Sequence, residues 1–209
     1  MNARHVASAL ARMGLVGAAC APLCAFADGD TAQTIVMVRH GEKPDQGLGQ
    51  LSCQGLNRAL ALPRVIETKF GRPDAIFAPD PAKQKNDRGT KYDYVRPLAT
   101  IEPTAIYFGL PVNASLGFKD IDKLADSLLS PNYRSSVVVV AWEHALVEET
   151  ARRIVKRLGG DASSVPKWKS ADFDSIYVVR VTHRAGTSVA SFAVEREGLN
   201  GQSTACPVR

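Results

Sequence analysis

Residues 35–44 read IVMVRHGEKP, and this stretch decides the fold. Ile35, Val36, Met37 and Val38 form an apolar run with no polar interruption, the pattern of a strand buried on both faces of a parallel sheet. The run stops at Arg39, His40 and Gly41, and Glu42, Lys43 and Pro44 follow. In an open α/β sheet, ligands bind beyond the carboxyl ends of the strands. A cation and an imidazole at such an end therefore read as a site. Neighbouring strand residues point to opposite faces, so Arg39 and His40 share one site only if the chain turns there. Gly41 permits such a turn and lets backbone amides approach a ligand closely.

A second strand ends in the same style. Residues 137–145 read VVVVAWEHA, an apolar run closing on Trp142, Glu143 and His144. If the two strands are parallel neighbours, Arg39, His40 and His144 converge. An anion suits that group. Arginine offers a planar fork that matches phosphate oxygens. A histidine held neutral by a hydrogen bond at one nitrogen can attack phosphorus with the other. A second histidine can stabilise charge on the equatorial oxygens of the transferring group.

The remaining pattern alternates. Strands are expected over residues 34–38, 74–78 and 136–142, with a hairpin from 176–182 and 188–194. Helices are expected over 54–69 behind a Ser52 cap, from Pro97 onward, over 116–129 and over 145–158. Residues 79–94 are polar and read as an exposed loop, whose Lys83, Lys85, Arg88 and Lys91 are read chiefly as solvated charges. The expected class is α/β: three layers, α/β/α, with a mixed, mostly parallel sheet flanked by helices.

The first 27 residues read as a secretory signal peptide, with Arg4, His5 and Arg12 ahead of a short apolar stretch and Ala25-Phe26-Ala27 as the cleavage site. The mature chain, 28–209, is then one domain, exported and expected in the periplasm. Losing Arg4 and Arg12 takes the formal charge from +5 to +3. Mild charge without an aromatic-basic stripe argues against nucleic acid. It leaves a small anionic phosphorylated substrate as the expected partner, with no stable membrane insertion once the leader is cleaved. Cleavage also leaves two cysteines, Cys53 and Cys206, which could form one disulfide in an oxidising compartment. Neither has metal-ligand spacing.

Four segments carry a resemblance to a known family. VRHGEKP resembles the Arg-His-Gly signature of the histidine phosphatase (phosphoglycerate mutase-like) superfamily. LSCQGLNRA at 51–59 resembles the helix start that follows the signature. RPLAT at 96–100 resembles the segment that supplies a second arginine, and VVVVAWEHA resembles the strand that delivers the second histidine. The resemblance spans most of residues 34–177. It implies that His40 is the nucleophile of a phosphohistidine intermediate, that Arg39 and Arg96 bind phosphoryl oxygens, and that His144 completes the pocket. Two guanidinium charges balance a dianionic phosphate, so no metal ion or other cofactor is implied. The family's Ser-Pro ahead of the second arginine is replaced here by Ala78-Pro79, and a longer polar loop intervenes.

The proton donor in this family is a carboxylate of variable position. Ala145 after His144 excludes the His-Asp branch, leaving Glu143 and Asp120. Glu42 reads as a residue that orients the signature loop. Lys43 could touch a leaving group, pair with Glu42 or face water, and Arg96 could pair with Asp93. His183 falls at a hairpin tip, away from the site. There is no G-x-S-x-G elbow, Walker A loop or H-E-x-x-H helix. A metal held by His40, Glu42 and His144 would leave two arginines opposing the cation. The expected function is an exported phosphatase working through a phosphohistidine; a phosphomutase, or a catalytically weak phosphate-binding or sensing protein, is the alternative.

Overall fold

A computed structural model describes residues 30–184 and 186–207; the expected leader and its cleavage site after Ala27 lie outside them. The elements run β1 (Thr31–Arg39), α1 (Cys53–Phe70), β2 (Ala75–Pro79), β3 (Lys85–Asp87), β4 (Thr90–Tyr92), α2 (Arg96–Phe108) and β5 (Val112–Leu116). Then come α3 (Ile121–Leu128), β6 (Val137–Trp142), α4 (His144–Arg157), β7 (Ser175–Arg184) and β8 (Thr187–Arg196). The main sheet has the order β5-β2-β6-β1-β7-β8. β5, β2, β6 and β1 are mutually parallel, while β7 and β8 pair antiparallel.

The apolar runs explain this arrangement. Along β1, Ile35 and Met37 face a core shared with Leu124, Leu128, Ala151 and Ile154 of α3 and α4. Val36 and Val38 face the opposite core, with Leu62, Ile66, Ile101 and Ala105 of α1 and α2. In β6, Val138 and Val140 join the first core and Val139 the second. Each such side chain contributes about 1.5–3 kcal/mol when fully buried, so strands apolar on both faces are most stable at the centre, between two helical layers. The expected three-layer architecture is the one formed.

Two expectations are corrected. Residues 116–129 are not one helix: β5 ends at Leu116 and α3 begins only at Ile121. Between them the Gly117 amide donates to the Asp120 carboxylate at 3.1 Å, closing a turn. On β5, inward residues alternate with exposed Asn113 and Ser115, as suits an edge strand. Residues 79–94 are not simply a loop, because β3 and β4 form a hairpin there. Its two turn residues, Arg88 and Gly89, have φ of 52° and 92°, the positive pair a two-residue type I′ turn requires. The two mature cysteines are joined: Cys53 and Cys206 form a disulfide with Cα atoms 4.5 Å apart and 153 residues of separation.

Candidate active site

Parallel pairing of β1 with β6 sets Arg39 opposite Trp142, and the His40 amide continues the ladder by donating to the Trp142 carbonyl at 2.9 Å. The two charged strand ends therefore leave the sheet side by side. Gly41 lies where the chain leaves β1, and its amide donates to Oγ1 of Thr100 in α2 at 2.9 Å. A Cβ there would lie 2.9 Å from the Gly55 carbonyl oxygen, and a Cβ on Gly55 would overlap the Glu42 backbone. The signature turn and the first turn of α1 thus touch backbone to backbone, which requires glycine on both sides. Ser52 caps α1 as expected, accepting from the Gly55 amide at 3.2 Å.

Glu42 anchors this turn from below. Arg58 is fully buried and reaches Glu42 through Nε (3.0 and 3.1 Å) and Nη2 (2.8 Å), and Glu197 through Nη1 (2.5 Å). Burial pushes the Glu197 carboxyl up to about 8 despite Arg58, with Asp174 and Glu42 adding to the push.

His40 is buried. Its Nδ1 lies 2.8 Å from the Gly41 carbonyl, which can only accept, so Nδ1 carries the proton and Nε2 keeps a lone pair. Burial first, then the charges of Arg96, Arg39 and Lys85, hold its pKa well below the ordinary histidine value, against the opposing carbonyl bond. Nε of Arg96 donates to Nε2 of His40 at 3.3 Å. Arg39 is held by the carbonyls of Ser170 (2.6 Å) and Asp172 (3.0 Å), with its guanidinium 3.7 Å from the centre of the Phe173 ring. Its buried Nε has no hydrogen-bond partner among the described residues, and burial draws its pKa down to about 10. A buried, unpaired donor on a cation is costly, and an anion in this pocket would relieve that cost.

His144 opens α4, and Nδ1 lies 2.8 Å from Glu143 Oε1, a close contact without hydrogen-bond alignment. Glu143 also caps α4 by accepting from the Leu146 amide and sits 4.0 Å from Lys85 Nζ. Burial alone would raise its pKa, but His144, Lys85 and the Leu146 amide outweigh it and bring the carboxyl down to about 2. Glu143, expected as the proton donor, is thus placed beside His144 and Lys85 with its carboxyl held towards the ionised form. Asp120 turns its carboxylate onto the Gly117 amide and lies 3.9 Å from Lys123, with no tie to His40.

Three residues here escaped sequence reading. Asp87, buried in the hairpin, binds Arg96 Nη1 at 2.5 Å and Nη2 at 3.1 Å, so Arg96 pairs with Asp87 and not with Asp93. Lys43 reaches the same carboxylate at 3.2 Å, in place of Glu42. Lys85, read chiefly as solvated, is tucked between aromatic rings, 4.9 Å from the centre of Tyr94 and 5.6 Å from that of Phe118. Tyr94 is wholly buried, edge-on to His40 at 6.1 Å between ring centroids, with no hydrogen-bond partner for its hydroxyl among the described residues. Asp87 and Lys85 sit in a polar tract and carry no periodic signal. Tyr94, two residues before Arg96 and with that guanidinium 4.8 Å from its ring centre, could have been suspected from its place ahead of the motif. His183 lies on β7, bonded to Ser188 Oγ at 2.7 Å.

No family model matches the chain, and no curated protein matches it by sequence. Solved structures do match. A mycobacterial glucosyl-3-phosphoglycerate phosphatase aligns with TM-score 0.51 and 14% identity over 78% of this chain and 97% of its own. A protein of Escherichia coli, proposed to be an alpha-ribazole-5'-P phosphatase, aligns with TM-score 0.52 and 12% identity over 86% and 100%. A proposed phosphohistidine phosphatase, SixA, from Nakamurella multipartitia gives 0.51 and 14% over 78% and 95%. At these identities the likeness is one of architecture, and by that architecture the chain has the fold of the histidine phosphatase (phosphoglycerate mutase-like) superfamily.

Proposed function

We propose that the chain is an exported phosphatase that hydrolyses a small phosphomonoester through a phosphohistidine on His40, without a metal ion. One observation carries this reading: His40 holds its proton on Nδ1 against the Gly41 carbonyl and turns an unprotonated Nε2 towards the guanidinium of Arg96. A buried imidazole among three cations stays neutral at working pH, and neutral imidazole is the nucleophilic form. The Nε2 lone pair forms the N–P bond in line with the departing oxygen. The P–O bond breaks, and its electron pair leaves on that oxygen, which takes up a proton from solvent. Water then attacks phosphorus and gives up a proton; the N–P bond breaks with its electron pair returning to Nε2, so inorganic phosphate leaves and His40 is again neutral. Arg39 and Arg96 neutralise the phosphoryl oxygens, and His144, oriented by Glu143, stabilises charge on them during transfer. The bridged Cys53 and Cys206 suit an oxidising compartment, in keeping with the leader read from residues 1–27.

The test is hydrolysis of p-nitrophenyl phosphate by the mature protein in the presence of a chelator. Wild type is expected to turn over and His40→Ala to be inactive, with phosphate trapped on His40 after an alkaline quench. Full activity in His40→Ala, or activity lost to the chelator and restored by a divalent ion, would overturn the reading.

A further inference from the structure

We infer that Asp87 is a positioning residue for phosphate recognition: it clamps the far end of the Arg96 guanidinium so that the Nε edge is presented beside His40. The inference rests on the phosphatase reading, in which Arg96 binds the phosphoryl group.

The geometry divides the guanidinium into two edges. Asp87 takes the end edge, with its oxygens on Nη1 (2.5 Å) and Nη2 (3.1 Å). The Nε side is left facing Nε2 of His40 at 3.3 Å. Arginine engages planar anions through two parallel N–H groups. With the end edge occupied, Nε and its neighbouring Nη2 hydrogen form the pair that remains, and it points at the nucleophile. A guanidinium on a flexible stem would otherwise sample several orientations, and fixing one spares that entropy when phosphate binds.

Asp87 is itself gripped, which separates a clamp from a gate. Lys43, in the signature segment, holds Oδ1 at 3.2 Å, and the Gly49 amide donates to Oδ2 at 3.3 Å. Residues 47, 48 and 49 carry φ of 84°, 54° and 69°, a left-handed turn that wraps the aspartate. A Cβ on Gly47 would fall 2.5 Å from the Asp87 Cβ. Leu48 adopts this conformation without being glycine, a strain that the surrounding contacts must hold. A carboxylate meant to swing aside for substrate would not be enclosed on three sides. The hairpin β3–β4 therefore acts as an arm that delivers one buried counterion to the second arginine.

Two measurements on the intact mature protein test this: the Kd of inorganic phosphate by calorimetry, and kcat/KM for p-nitrophenyl phosphate in wild type, Asp87→Asn, Arg96→Met and the double variant. Losing a charge-assisted clamp is expected to weaken phosphate binding and lower kcat/KM by about 10- to 100-fold in Asp87→Asn. In the Arg96→Met background, Asp87→Asn is expected to change kcat/KM less than about twofold, because the clamp has nothing left to hold. Unchanged phosphate affinity in Asp87→Asn would overturn the inference. Tighter phosphate binding would do so too, and would make Asp87 a competitor for Arg96. An equal loss in the Arg96→Met background would reduce Asp87 to a structural residue. Should Asp87→Asn fail to fold, Lys43→Met loosens the same carboxylate from the opposite side and is expected to weaken phosphate by about threefold or more; no change would overturn the clamp. Wild type that neither binds phosphate nor hydrolyses the ester fails the phosphatase reading itself, a result distinct from any variant effect.

Discussion

Reduction of the Cys53–Cys206 bridge is expected to cost stability without costing activity at room temperature. The bridge closes a loop of 153 residues, and the chain-entropy relation puts the constraint on the unfolded state at about 5 kcal/mol for a loop of this size. Little of the native packing depends on it. Residues 203–207 are exposed, and the tail is moored beyond the bridge by Asn57, whose Nδ2 donates to the Ser203 and Ala205 carbonyls at 2.8 Å each. Measured effects fall below the entropic figure when the unfolded chain stays partly compact, so about 2–5 kcal/mol is expected. With a urea m-value of about 1–3 kcal/mol/M, the unfolding midpoint should drop by roughly 0.7–5 M. The assay is urea denaturation of the mature protein with and without reductant, alongside Cys206→Ser and a count of free thiols in the denatured, unreduced chain. Cys53 opens α1 and, with Thr204 of the tail, lines the same cavity as Lys43 and Phe173, but among the described residues Arg39, His40 and Arg96 take their hydrogen bonds from outside the tail, so turnover of p-nitrophenyl phosphate at 25 °C should survive reduction. Two free thiols per unreduced chain, or a midpoint indifferent to reductant, would refute the reasoning.

Other expectations follow from the site. Gly55→Ala drives a methyl into the Glu42 backbone and should cost about 1–3 kcal/mol by overpacking while lowering kcat; wild-type urea midpoint and kcat would contradict the close approach. Because His40 titrates well below the ordinary histidine value, unfolded chain binds a proton that native His40 refuses. Its contribution to stability is therefore complete above about pH 6.5 and is lost as pH falls from there through the native pKa. The pH dependence of urea stability between pH 7 and 5 should be shallower by up to one proton in His40→Gln, and an identical slope would contradict the shift. Glu143→Gln should slow aryl and alkyl phosphates alike, as suits a carboxylate near pKa 2 that orients His144. A loss confined to alkyl phosphates, by about 10²–10⁴-fold, would restore it as the general acid.

The central strands were legible because their apolar runs have one stable place. A segment such as Ile35 to Val38, apolar on both sides, must be covered on both sides. A strand like β5, half polar at the sheet edge, carries too weak a pattern to tell from the start of a helix. The helix starts were legible where a cap or proline marks them, at Ser52 and Pro97. The hairpin in residues 79–94 was hidden because three-residue strands leave no countable period, although the Arg88-Gly89 turn lies within it.

The sequence by itself determined which side chains end the two central strands: Arg39 and His40 on one, Glu143 and His144 on the other. Chain-local chemistry is enough for that, since apolar runs stop where charge begins. Tertiary structure alone decided what each of those groups faces. Asp87 reaches Arg96 over nine residues of chain and Arg58 reaches Glu197 over 139, and neither distance imposes a repeat that a linear pattern could display. The same holds for the role of Glu143. Its identity and place were in the chain, but its charge state depends on His144, Lys85 and burial acting together, and electrostatic energies are set by separation in space and by the medium between.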